Sequence, residues 1–400
     1  VILAACRLAG WLSARLGQPQ VVGEMIAGIV LGPSVFGAVA PDAASRLFPT
    51  TLGAERHPSM AILYAASQVG IVAYMFLVGL KFDFGRLGTH KRAASAVAAS
   101  GIVFPLAVGA AIGIVAADGL SLFEPGVPRW AAALYLGAAL CITAFPMLAR
   151  ILVDRGLLAT PIGTLTLGAG AVSDAAAWML LCVVIGGVEG SVSAVATAVL
   201  GGVLVAGAMA LGARRLLVYL SRNGAVGIAA SIALLVAGAW FTDRIGIHAV
   251  FGAFLAGACV PKALFPDRFV DSAARVSSLA LLPLFFAYTG IQTNLDLLGS
   301  ASLGAAAAVI CVAAIVSKGV GCMLGARLAG ETWKDAAGIG SLMNGRGLMG
   351  SVMASIGLEK GIASEGLYAI LILMTLITTL MATPLFDLFQ RTAARPVSRE

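Results

Sequence analysis

Asp174 lies in the middle of Leu165–Ile185, a run reading LTLGAGAVSDAAAWMLLCVVI, with Ser173 immediately before it. A carboxylate at bilayer depth costs about 2.5–3.5 kcal/mol on insertion scales, so such a residue is expected to have a use. Two cations occupy comparable positions: Lys318, inside AAIVSKGVG (313–321), and Arg346, inside Met343-Asn-Gly-Arg-Gly347. One carboxylate, one ammonium and one guanidinium are the formal charges plainly at depth, and their company marks a functional site. Lys318 is the expected charge partner of Asp174, and the hydroxyls of Ser173 and Thr143 are the polar groups expected beside it. The remaining acidic residues read as belonging to connections, the tail or a helix mouth, Glu24 being in the last class. No nucleophile–base set, glycine-rich phosphate loop or zinc motif occurs, so neither an enzyme nor a cofactor is expected.

The elements that must hold these charges are membrane helices. Hydrophobic residues make up 60% of the 400 and charged residues 11%, which excludes an ordinary soluble domain. Apolar runs of about 17–25 residues recur along the chain, each able to cross ~30 Å of hydrocarbon. Thirteen intervals are expected: 1–16, 20–36, 59–80, 92–116, 130–152, 161–187, 191–213, 224–241, 245–261, 275–292, 300–326, 336–357 and 365–389. The expected fold is all-α and polytopic, a single transmembrane domain over residues 1–400. With alternate connections on opposite sides, about eighteen of the 26 Lys and Arg fall on one side, Arg150 among them, and about five on the other. That asymmetry predicts an N-terminus outside and a C-terminus in the cytoplasm. The net charge of +7 is scattered over short loops and follows topology; no nucleic-acid partner is expected. The six cysteines lie in apolar spans without metal spacing and read as buried structural thiols. Val1 opens inside an apolar segment, which reads as a trimmed start with no signal peptide to argue. Trp178 is expected to pack, His248 to be a satisfied core or interface histidine, and Trp130, Trp240 and Trp333 to anchor span ends.

Two pairs of segments resemble each other. Tyr74–Gly88 and Phe285–Gly299 share their glycine spacing, and GEMIAGIVLGP (23–33) echoes GIHAVFGAFLAGACVP (246–261). The paired helices stand seven spans apart, and an odd offset makes the repeats inverted, the plan of secondary transporters with a site at midplane. Carried forward, the repeat pairs the fifth helix with the twelfth, and each has an interruption. The fifth holds Thr143-Ala144-Phe145-Pro146, where Pro146 removes a donor and frees a carbonyl one turn earlier. The twelfth holds Asn344-Gly345-Arg346-Gly347. Unwound backbone at membrane depth survives only inside protein or beside a water-filled cavity. Crossed breaks would aim half-helix dipoles at one another and call for charges of both signs.

The segments Gly23–Pro33, Thr143–Leu152, Gly246–Phe254, Pro283–Phe286 and Met343–Leu348 together resemble monovalent cation:proton antiporters, in the branch with Kef-type and bacterial Na+/H+ antiporters and plant cation/H+ exchangers. The similarity runs from about residue 18 to 385. It implies a sodium/proton antiporter fold, with a mobile core (about 92–187 and 300–389) and a dimer-forming scaffold (about 1–80 and 191–292). By resemblance, Asp174 is the cation- and proton-binding aspartate, Lys318 the core lysine, and Thr143–Pro146 and Asn344–Gly347 the unwound segments. The implied partners are Na+ or K+, protons, the bilayer of a bacterial cell membrane and a second copy of the chain. Electrogenic relatives carry two adjacent aspartates; Ser173 at the first position favours electroneutral exchange. A sodium-coupled organic anion symporter of similar plan, with Lys318 and Arg346 holding the anion, is the alternative; a non-exchanging channel-like or sensor member is a further one.

Overall fold

The computed structural model describes residues 1–49, 51–52, 55–56, 58–82, 90–119, 121–246, 248–291 and 301–391. The closing glycines of one expected repeat, Gly88 and Gly299, lie outside them. Nine helices among the described residues are long and apolar enough to cross a membrane, and Ala249–Cys259 is a shorter apolar helix. Among the described residues, a two-stranded antiparallel turn, Thr51–Leu52 with Glu55–Arg56, and an isolated bridge between Phe123 and Ala363 depart from the helical pattern.

Several helix limits differ from expectation for identifiable reasons. The second helix runs Gln20–Leu31 and passes through the wide turn Pro33–Gly37, because Pro33 cannot donate to the ladder. The amphipathic stretch Asp267–Val276 lies, except for its last two residues, before the expected interval 275–292. It is helical, and continues through the wide turn Ser277–Leu281 into Leu282–Ile291. Two charged residues near helix ends are more buried than such positions suggest. Glu24 is 3% exposed in the first turns of its helix. Arg150, near the end of the expected interval 130–152 and counted with the charges of the following loop, is 3% exposed and pairs with Asp154 at 3.0 Å, one turn along the same helix.

The chain forms two compact units. The first comprises Val1–Leu12, Gly23–Phe84 and Trp178–Asn294; the second comprises Ser13–Val22, Gly85–Ala177 and Leu295–Glu400. Within the first unit, the repeat read from sequence appears as a reciprocal contact. A Cβ on Gly257, in Ala249–Cys259, would stand 2.1 Å from the Phe76 carbonyl oxygen of Pro58–Lys81. A Cβ on Gly28, in Gln20–Leu31, would stand 2.7 Å from the Phe286 carbonyl oxygen of Leu282–Ile291. Gly28 and Gly257 align in IAG (26–28) and LAG (255–257). Each repeat's first helix is therefore packed, backbone to backbone, on the second helix of the other. Close approach of this kind replaces the hydrophobic effect as the association force in lipid.

In the second unit, Lys91–Gly119 packs on Arg129–Cys141 and on Ala301–Leu328, while Trp333–Met343 and Gly347–Glu359 both pack on Glu365–Arg391. Thr160 immediately precedes the helix Pro161–Val188, its hydroxyl accepting from the Gly163 amide at 3.1 Å. That helix carries Asp174.

The glycine seam yields a prediction. Gly257→Ala forces a methyl into the Phe76 carbonyl and costs about 1–3 kcal/mol in overpacking. Gly304→Ala, where a Cβ meets nothing within 4 Å, is the neutral control. Thermal unfolding of the two variants in detergent should separate them, with the first melting lower; equal midpoints would contradict the seam.

Candidate functional site

The two interruptions fall in the second unit, and their sequence explains their form. Arg129–Cys141 ends at Cys141, Ile142–Ala144 is unwound, and Phe145–Asp154 resumes the helix. Phe145 and Pro146, expected to be unwound, instead form the first helical turn. Pro is suited to that place, since its missing N–H is one the helix could not use and its φ is already helical. The second break is Asn344–Arg346, between Trp333–Met343 and Gly347–Glu359. Gly347 is helical rather than unwound, with φ +49°, and a Cβ there would lie 2.7 Å from Met147 Sδ. Both the backbone angle and the contact require glycine.

The breaks are bonded to each other. The Ala144 amide donates to the Gly345 carbonyl at 3.0 Å, and Thr143 Oγ1 donates to the Met343 carbonyl at 3.3 Å. Unwound backbone of each segment is thus satisfied by the other, as burial demands. Gly170, on the Asp174 helix, leaves the room: a Cβ there would lie 2.5 Å from Leu148 and 3.7 Å from the Thr143 methyl.

The charges sort by half-helix end. Arg129–Cys141 presents its C-terminal carbonyls, the negative pole. Arg346 Nη1 donates to the carbonyls of Ala139 (3.1 Å), Leu140 and Ile142 (3.3 Å), and its Nη2 to that of Ala314 (3.0 Å). Lys318 Nζ donates to the Cys141 carbonyl and to that of Gly101 at 2.9 Å. Phe145–Asp154 presents its N-terminal amides, the positive pole. There Asp174 Oδ2 accepts from the Phe145 amide at 3.1 Å, supplying the cap that Ala144, the N-cap residue, cannot. Asp174, Ser173, Thr143, Lys318 and Arg346 are each fully buried, and Asn344 is 3% exposed. Asn344 Nδ2 donates to the Ile315 carbonyl at 3.1 Å. Ser173 Oγ has no hydrogen-bond partner among the described residues, a buried oxygen available to a ligand.

The structure therefore brings Asp174, Thr143, Lys318, Arg346 and both breaks into one unit around the poles of one half-helix pair. Such a site offers a carboxylate, hydroxyls and backbone carbonyls to a dehydrated cation, and a carboxylate to a proton. Among the described residues, no group of three or more His, Cys, Asp or Glu could hold a metal ion. Sequence reasoning missed Thr379, whose hydroxyl accepts from the Gly347 amide at 2.9 Å. The signal was present: Thr375, Thr378, Thr379 and Thr383 crowd one apolar helix, and all are buried.

Known proteins resemble this chain over most of its length. The family model described as sodium/hydrogen exchanger, transmembrane, matches residues 2–388. The Na(+)/H(+) antiporter NhaS4 of Synechocystis sp. is 35% identical over 395 residues, covering 96% of this chain and 94% of that protein. Cation/H(+) antiporter 19 of Arabidopsis thaliana is 31% identical, covering 99% of this chain but 49% of its own length, so the chain spans about half of that relative. Among solved structures, the sodium proton antiporter MjNhaP1 from Methanocaldococcus jannaschii aligns with TM-score 0.61 at 14% identity, over 97% of this chain and 95% of that one. That likeness shows the fold.

The fork of Arg346 is the most demanding part of the arrangement. A lysine has three donors on a single nitrogen and lacks the planar fork by which two nitrogens here reach four carbonyls, those of Ala139, Leu140, Ile142 and Ala314. Arg346→Lys should lower the thermal midpoint of the purified protein, each carbonyl left bare costing about 1–3 kcal/mol. An unchanged midpoint would mean that the guanidinium does not hold the break.

Proposed function

The chain belongs to the transmembrane sodium/hydrogen exchanger family, and on that premise we propose that it exchanges Na+ or K+ for protons through competition at Asp174. As a monovalent cation:proton antiporter it needs one group that binds either ion and not both. The observation that carries the assignment is a fully buried carboxylate at the positive pole of a broken helix, bonded to the Phe145 amide. The amide and the helix pole stabilise the anion in the absence of cargo. A dehydrated cation adds Ser173 Oγ, Thr143 Oγ1 and carbonyls of the breaks as hard ligands. Protonation removes the charge and releases the cation, so each ion expels the other.

The unit holding Asp174 is the transport body in this reading, carrying the site between the two faces in an elevator-type excursion. The other unit is the scaffold, through which a second copy docks as a homodimer. Lys318 serves as the fixed counter-charge on the negative pole. Since Ser173 offers no second carboxylate, one cation leaves for each proton that enters, and exchange is electroneutral. The setting is a bacterial cell membrane, crossed many times, with the N-terminus outside and the C-terminus in the cytoplasm.

Asp174→Asn retains an oxygen that can accept from the Phe145 amide and removes only the charge. Proteoliposomes with an internal pH dye should show exchange in the wild type and only protein-free leakage in the variant, with both melting alike. Undiminished exchange by the variant would sink the assignment. Wild-type rates with Na+, K+, Li+ and Rb+ should not change under an imposed potential; acceleration by potential would exclude one-for-one exchange.

A further inference from the structure

The second break has a positive pole of its own, at Gly347, and it is served differently. Arg346, the N-cap residue there, makes no side-chain cap. The Gly347 amide instead donates to Thr379 Oγ1 at 2.9 Å, from the following long helix Glu365–Arg391. At the first break the following long helix likewise supplies the partner, Asp174 to the Phe145 amide at 3.1 Å. The two caps occupy repeat-equivalent places, one charged and one neutral. We infer that Thr379 is a positioning residue for ion exchange, holding the Gly347 peptide so that Arg346 stays seated on the first half-helix. This rests on the exchange reading above.

The chain of contacts is short. Arg346 directly precedes Gly347, and its guanidinium reaches carbonyls at Ala139, Ile142 and Ala314 at 3.0–3.3 Å. A rotation of the Gly347 peptide moves the Arg346 backbone with it. Thr379 is fully buried, so an amide that loses its hydroxyl acceptor finds no water. Its neighbours on the same helix are bonded otherwise. Thr378 Oγ1 donates to Met374 O of its own helix at 2.8 Å, while Thr375 Oγ1 and Thr383 Oγ1 have no partner among the described residues. Thr379 ties one helix to the break in another, and it does so without charge.

The test compares Thr379→Val with Thr383→Val, the same isosteric loss of a buried hydroxyl one turn apart, and with Thr379→Ser. In proteoliposomes Thr379→Val should lower the maximal exchange rate about tenfold and leave the apparent cation KM within about twofold, because Thr379 touches no cargo. Thr379→Ser should restore most of the rate, and Thr383→Val should match the wild type. Hydrogen–deuterium exchange of the peptide containing Gly347 needs no transport, and it should quicken in Thr379→Val alone. An unchanged exchange there, or equal rate losses in the two valine variants, would overturn the positioning role. A wild type that exchanges no ions, with the deuterium result intact, would instead overturn the antiporter reading.

Discussion

A helix broken in the middle of a membrane exposes two opposite poles and several backbone groups where water cannot reach them, and the second unit is organised around that demand. The interruption at Ile142–Ala144 is tolerable because the one at Asn344–Arg346 lies against it and the two exchange a hydrogen bond, Ala144 to Gly345 at 3.0 Å. The carbonyl pole of Arg129–Cys141 collects both deep cations, and the amide pole of Phe145–Asp154 collects the deep anion. None of these charges would be affordable alone at that depth. Each is held by a backbone dipole that itself lacked a partner. The chemistry of the site and the solution of a folding problem are therefore the same set of contacts.

Most of this frame was legible because lipid restricts the possibilities so strongly. Apolar runs give helices, buried charges stand out against them, and Thr143–Pro146 and Asn344–Gly347 advertise the breaks by composition. What was misread depended on three-dimensional context. Pro146 reads as part of the unwound segment, whereas it lies in the first turn of Phe145–Asp154; the residue type permits both, and the partner for the Phe145 amide decides between them. Glu24 and Arg150 looked peripheral because each is near a helix end, yet both are buried by packing that no local pattern reveals. Thr379 was invisible for a plainer reason: threonine costs little in an apolar helix, so nothing marks the one that bonds across from those that do not.

The repeats share a backbone plan and differ in charge. Both half-helices take their first cap from the next long helix, but one cap is Asp174 and the other Thr379. Likewise Lys318 and Arg346 both belong to the second repeat and both serve the first repeat's carbonyl pole. The frame supplies two similar places, and side chains make only one of them electrically suited to a cation.

The reciprocal seam of the first unit makes its two halves depend on each other. Gly28 meets Phe286 while Gly257 meets Phe76, so the bare glycine strip of each two-helix element is closed by the other element. One element alone would leave both its strip and its matching carbonyl face open to lipid. The two elements are therefore one folding unit, and a bulky substitution in either glycine strip disturbs the closure of both.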